Sequence, residues 1–133
     1  MTEASKTKLF IIDDHQVIRK NLRQFLEAEP QLMICGEAAS AEEALEKLKT
    51  HGADMALIDV SMPGMSGLEL LIILRKDYPG LKCLMVSAHA QMDYAEQAKT
   101  HGASAYVLKE EPLDILDAIE RVLAGDTFFR LGG

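Results

Sequence analysis

Short apolar runs alternate with helix-period segments along the whole chain, and that alternation limits what it can fold into. The β-like runs are Lys8 to Asp13, Met33 to Ala38, Met55 to Asp59, Leu81 to Ser87 and Ala105 to Leu108. Between the first two, His15 to Glu29 carries Ile18, Leu22, Phe25 and Leu26 at helical spacing, and Pro30 ends it. Ser40 with Glu43 three residues on predicts a capping box for a second helix. That helix has Ala41, Ala44, Leu45 and Leu48 on its inner face and Gly52 beyond its end. Gly67 to Tyr78 predicts a third helix, with Leu68, Leu70, Leu71 and Leu74 inward and Ile72 and Ile73 on the face that should be wet. Met92 to His101 is Ala-rich and stops at Gly102, with Met92 and Tyr94 as further outward apolar residues. Pro112 suits the first turn of a last helix, with Leu113, Leu116, Ile119 and Leu123 as its buried face and Gly125 at its end. Strands alternating with helices imply a parallel sheet of five strands with helices on both faces and right-handed crossovers. Ligand sites in such sheets form at the carboxyl ends of the strands.

Those ends are chemically unusual. The first strand closes on Asp13-Asp14, the third on Asp59, the fourth on Ser87 and the fifth on Lys109. Side by side, they bring three carboxylates, a hydroxyl and an ammonium to one edge. Gathering three carboxylates without a cation costs several kcal/mol, roughly. Hard oxygen donors suit Mg²⁺. Zinc is disfavoured, because His15 and His89 are the sole imidazoles near these ends, and His15 suits a structural or capping role at a helix start. Asp59 can then act as an aspartyl nucleophile, with Lys109 and Ser87 facing phosphoryl oxygens. Each of these residues taken alone reads more simply as a strand cap or a loop solvator.

At 133 residues the chain fits one domain, and an apolar fraction of 48% is ample for a core. A net charge of −7 with no basic cluster argues against a nucleic-acid surface. Cys35 and Cys83 lie in separate apolar runs and are expected as reduced, buried thiols. No apolar run approaches the roughly 18–20 residues of a membrane span, so a soluble, cytoplasmic protein is expected. The expected organisation is a polar N-terminus at 1–7, one domain at 8–126, and a tail or linker start at 127–133.

The chain resembles the receiver domain of two-component response regulators over nearly its full length. The resemblance rests on Asp13-Asp14, on Asp59 with Pro63 and Gly67 behind it, on Ser87-Ala88, and on Lys109. It implies a flavodoxin-like (βα)5 fold of strand order 2-1-3-4-5. It implies that Asp59 accepts a phosphoryl group from a sensor histidine kinase or a phosphotransfer protein. Asp13, Asp14, Asp59 and the backbone carbonyl of Ser61 would hold Mg²⁺, while Ser87 and Lys109 would contact the phosphoryl group. Tyr106 resembles the family's aromatic switch residue, which turns inward as Ser87 moves; a plain strand residue covering the sheet edge is its simpler reading. Ser61 and His89 occupy positions that tune phosphate lifetime in the family, although a solvated loop histidine also describes His89. Such domains signal rather than turn over a substrate, and some form homodimers on phosphorylation.

Asp13-Asp14-His15, Gly36-Glu37-Ala38 and Ile119 to Gly125 resemble the NarL/FixJ-like subfamily, whose members usually carry a DNA-binding domain after a linker. Transcriptional control through a domain outside this chain is therefore expected, with a stand-alone relay or interaction receiver as the alternative. One departure is Glu110 directly after Lys109, where many receivers have a proline with a cis bond. Three other classes fit less well. A haloacid-dehalogenase-like hydrolase needs an Asp where Ser61 stands. A flavin or nucleotide binder needs a phosphate-cradling loop where Asp13-Asp14 stands. A phosphate-independent pseudo-receiver would not need every reactive position filled.

Overall fold

The computed structural model describes residues 6–88 and 92–129. Its elements are β1 (Thr7–Ile12), α1 (Gln16–Glu27), β2 (Leu32–Ala38), α2 (Ala41–Leu48), β3 (Met55–Asp59) and α3 (Gly67–Asp77). They continue with β4 (Lys82–Ser87), α4 (Met92–Thr100), β5 (Ala105–Leu108), α5 (Pro112–Leu123) and β6 (Phe128–Phe129). Every strand pairing is parallel, in the order β2-β1-β3-β4-β5-β6.

Alternation along each strand sorts the core into two layers. Phe10, Ile12, Ala56, Ile58, Cys83, Met85 and Tyr106 face α2, α3 and α4. Leu9, Ile11, Met55, Leu57, Leu84, Val86 and Val107 face α1 and α5. Every residue of β3 is buried, as expected of a central parallel strand. Fully burying a Leu or Ile contributes about 1.5–3 kcal/mol, so these two layers dominate the stability of the fold.

The sheet has six strands, not five. Gly125, at φ +94, turns the chain back after α5. Phe128 N–H then donates to Ser104 O at 3.0 Å, and Phe129 pairs with Tyr106. Phe128 is buried in the α1–α5 layer, with the Arg121 guanidinium 5.7 Å from its ring centroid. Lys99 Nζ lies 5.6 Å from the centroid of Phe129. Two residues show no periodicity, so the sequence could not announce this strand. Part of the expected 127–133 tail is therefore sheet, and residues 1–5 and 130–133 lie outside the described residues.

The last helix is rotated relative to the sequence expectation. Ile115, Ala118, Ile119 and Val122 are buried, whereas Leu113 is 74% and Leu123 49% exposed. Leu116 packs partly buried against the same layer. Ile119 is buried as expected, but Leu113 and Ile115 are two residues apart, about 200° around a helix, so they lie on opposite sides of α5. The turn from β5, closed by Glu111 N–H to Leu108 O at 3.1 Å, sets which one meets the sheet.

Smaller differences are also local. Ser40 Oγ accepts from Glu43 N–H at 3.0 Å, but Glu43 reaches Ala39 N–H rather than that of Ser40. The complete capping box is at α3, between Ser66 and Glu69. Cys83 is buried, and burial pushes its thiol up to about 12. Cys35 is only half-buried, because it falls at the bulge where β1–β2 register skips from Ile34 to Gly36. Ile72 is exposed, Ile73 and Tyr94 are half-buried, and Met92 is exposed. The Lys109–Glu110 bond is trans. Among the described residues, no helix is long and apolar enough to cross a membrane.

Candidate functional site

The backbone ladder runs one residue past the strand ends and fixes where the polar side chains start. Asp13 N–H donates to Ala38 O at 3.1 Å, Val60 N–H to Val86 O at 3.0 Å, and Lys109 N–H to Ser87 O at 2.8 Å. Asp13, Asp59 and Ser87 are all nearly inaccessible, unlike most charged residues.

Lys109 Nζ lies 2.9 Å from Asp13 Oδ2 and 3.1 Å from Asp59 Oδ2, with its side chain 6% exposed. One ammonium thus faces two buried carboxylates, with Asp14 alongside. Asp59 Oδ1 accepts from Ser61 N–H at 3.2 Å. Asp59 Oδ2 and Asp14 Oδ1 are buried without a directed hydrogen bond, although Lys109 Nζ stands within ion-pair distance of the first and His15 Nδ1 lies 3.2 Å from the second. Asp59 consequently titrates high, at about 7; burial is the main cause and the Asp13 carboxylate the next, with Lys109 opposing both. A mainly apolar cavity of ≈ 240 Å³ between α1, α5 and the sheet adjoins these carboxylates.

Asp13, Asp14, His15 and Asp59 each offer a ligand atom, all within 4.8 Å of one another. Buried, under-satisfied oxygen donors with excess negative charge are what a hard divalent cation needs, so the residues present fit Mg²⁺. His15 does not cap α1 with its side chain. Its backbone N–H donates to Asp13 Oδ1 at 2.8 Å, and its ring turns toward the carboxylates.

Residues around the site hold it in shape, and sequence reasoning missed several of them. Arg19 Nη1 donates to Asp13 O at 2.6 Å while its Nε pairs with Glu37 at 3.0 Å, which ties the Asp13 loop to β2. Arg23 also pairs with Glu37. Their spacing within α1 carried no signal, because Glu37 is distant in sequence. Gly67 is required by contact: a Cβ there would stand 2.0 Å from Asp59 O. Its N–H donates to Val60 O at 3.0 Å, so α3 begins directly behind Asp59. Gly64 adopts φ +76, and Glu42 Oε2 accepts from Met65 N–H at 3.2 Å, anchoring the same loop to α2.

The structure brings Asp13, Asp14, Asp59 and Lys109 into one cluster, with Ser87 on the neighbouring strand end beside Val86, the register partner of Asp59. Ser61 is exposed two residues beyond Asp59. Tyr106 is fully buried and faces the α2–α4 layer. Burial raises its hydroxyl's pKa, and a side-chain hydrogen bond with Ser87 works against that rise. His89 lies outside the described residues.

A doubly covered parallel sheet with a carboxylate-rich carboxyl edge defines a CheY-like α/β domain. Residues 9–120 match the response regulator receiver domain family, and the chain belongs to it. The transcriptional regulatory protein MctR of Rhizobium johnstonii is 32% identical over 99% of this chain and 62% of its own length. The nitrate/nitrite response regulator protein NarL of Escherichia coli is 32% identical over 95% of this chain and 59% of its own. The chain thus spans about three-fifths of those curated relatives, 62% and 59%. A crystal structure of a LuxR-family two-component response regulator from Aurantimonas sp. is 31% identical, with TM-score 0.86, covering 93% of this chain and 89% of that one.

Proposed function

We propose that this chain is the input domain of a NarL-type transcriptional regulator and that it accepts a phosphoryl group on Asp59 from a sensor histidine kinase. The observation that carries the reading is the buried Asp59 carboxylate, flanked by Asp13 and Lys109, on a chain of the receiver family. The Asp59 carboxylate attacks the phosphorus of a phosphohistidine. A P–O bond forms, the P–N bond breaks, and the imidazole leaves with the electron pair. Ser61 N–H holds Asp59 Oδ1 and so orients the nucleophile.

Asp13, Asp14, Asp59 and the Ser61 carbonyl are the groups that would hold Mg²⁺. Bound there, the ion supplies the positive charge that keeps the carboxylates ionised together and offsets charge on the phosphoryl oxygens. Lys109, paired now with Asp13 and Asp59, passes to a phosphoryl oxygen once Asp59 has become an acyl phosphate. Ser87 donates to a second oxygen and gives up its bond with Tyr106. A buried hydroxyl that loses a partner costs about 1–3 kcal/mol. The phosphorylated state therefore favours an arrangement in which Tyr106 finds a new partner, which is how a local charge biases a distant surface. A transcriptional output, as the name of MctR suggests, would lie outside this chain. Beryllofluoride with Mg²⁺ mimics the phosphoryl group and should raise the thermal midpoint of the wild type but not of Asp59→Asn. An equal rise in both would remove Asp59 from the site.

A further inference from the structure

We infer that His15 is a fifth protein ligand of the acidic site, and that its nitrogen gives the site a preference for first-row transition divalent cations over Mg²⁺. This rests on the reading of the carboxylate cluster as a cation site and extends it. His15 opens α1 with extended backbone at φ −91 and ψ 106, yet its side chain makes no cap bond. Its ring is instead aimed at the carboxylates. Nδ1 lies 3.2 Å from Asp13 Oδ1, 3.2 Å from Asp14 Oδ1 and 4.0 Å from Asp59 Oδ2. Six donors placed about 2.1–2.2 Å from a divalent ion stand about 3.0–3.1 Å apart when adjacent and about 4.2–4.4 Å apart when opposite. The imidazole nitrogen therefore sits at adjacent-ligand separation from both Asp13 and Asp14, and near opposite-ligand separation from Asp59.

A second observation points into the same space. Asp59, with its side chain 2% exposed, and Asp14 both present buried oxygens without a directed hydrogen bond, Asp59 Oδ2 at 4.0 Å and Asp14 Oδ1 at 3.2 Å from Nδ1. Lys109 Nζ stands 3.4 Å from Nδ1 and supplies positive charge to one side of the cluster. Its other contacts are Asp13 Oδ2 and Asp59 Oδ2, so the Asp14 and His15 side is left for a cation. The donor set is then three carboxylates, the Ser61 carbonyl and one imidazole. A carboxylate-only set suits hard Mg²⁺. Adding imidazole strengthens binding of Mn²⁺, Co²⁺ or Zn²⁺ far more than that of Mg²⁺, which gains little from nitrogen.

The test uses the full chain, stripped with chelator and loaded with Mn²⁺, and pulsed EPR to detect nitrogen bound directly to the ion. His15→Asn keeps a good helix cap, so α1 should remain folded by circular dichroism. The wild type should show the nitrogen coupling, and His15→Asn should lose it. The ratio of Mn²⁺ to Mg²⁺ affinity should fall roughly tenfold in the variant. Mn²⁺ bound without nitrogen coupling in the wild type, or an unchanged ratio, removes His15 from the metal while leaving the carboxylate site intact. No Mn²⁺ binding at all overturns the carboxylate site as well.

Discussion

Asp59→Asn should stabilise the metal-free protein, and the gain should depend on pH in a set way. Asp59 titrates at about 7 in the folded chain against an ordinary value of 3.8. Burial and the Asp13 carboxylate favour its neutral form, and Lys109 only partly offsets them. A raised acid binds its proton more tightly in the folded state than in the unfolded one. Between the two values the folded chain holds more protons, so stability falls as pH rises. About three pH units, at about 1.4 kcal/mol each, give a destabilisation on the order of 4 kcal/mol above neutrality. Asn carries no charge and keeps an oxygen for Ser61 N–H, but it leaves Lys109 with Asp13 alone. The net gain should then be on the order of 2–4 kcal/mol at pH 8 and near zero at pH 4. Urea unfolding of both proteins in chelator, from pH 4 to pH 8, measures the difference directly. A gain that is flat across this range, or a variant less stable than wild type at pH 8, would show that burial of the Asp59 charge does not dominate here.

Three further substitutions probe the frame around the site. Gly67→Ala places a methyl 2.0 Å from the Asp59 carbonyl, so backbone must move. It should cost about 3 kcal/mol or more and reduce beryllofluoride binding together with stability; wild-type thermal midpoints would contradict the close approach. On α5, Ile115→Ala should cost about 2–5 kcal/mol, and Leu113→Ala under about 0.5 kcal/mol, in the same denaturation assay. Reversed magnitudes would make Leu113 the buried residue. Phe128→Ala should cost about 3 kcal/mol if β6 is part of the folded sheet, and nothing measurable if the segment is a free tail.

The polar residues of the carboxyl edge were legible because strand ends announce themselves: an apolar run that stops on Asp13, Asp59, Ser87 or Lys109 states both its register and its edge. The five main strands and all five helices follow from the same alternation. The rotation of α5 was not legible, because Leu113, Leu116, Ile119 and Leu123 keep helical spacing as well as Ile115, Ala118, Ile119 and Val122 do. The β5–α5 turn decides between the two sets, and turn geometry is tertiary information. Two-residue β6 was hidden for a different reason, since its existence depends on Ser104 O and Tyr106 waiting at the open edge of β5. Arg19 and Glu37 looked like ordinary surface charges, and only the folded chain shows them bracing the Asp13 loop. His15 was expected in a structural or capping role from its place at a helix start; its side chain caps nothing, and its ring instead lies against the Asp13 and Asp14 carboxylates.

Phosphorylation by a small phosphodonor tests the central claim most directly. Incubation with acetyl phosphate and Mg²⁺, followed by intact-mass and peptide-mass analysis, should add one phosphoryl group, on Asp59. The label should be labile to hydroxylamine, as an acyl phosphate is. It should vanish in Asp59→Asn and when chelator replaces Mg²⁺. Labelling that survives either change, or no labelling of the wild type, would contradict Asp59 as the phosphoacceptor.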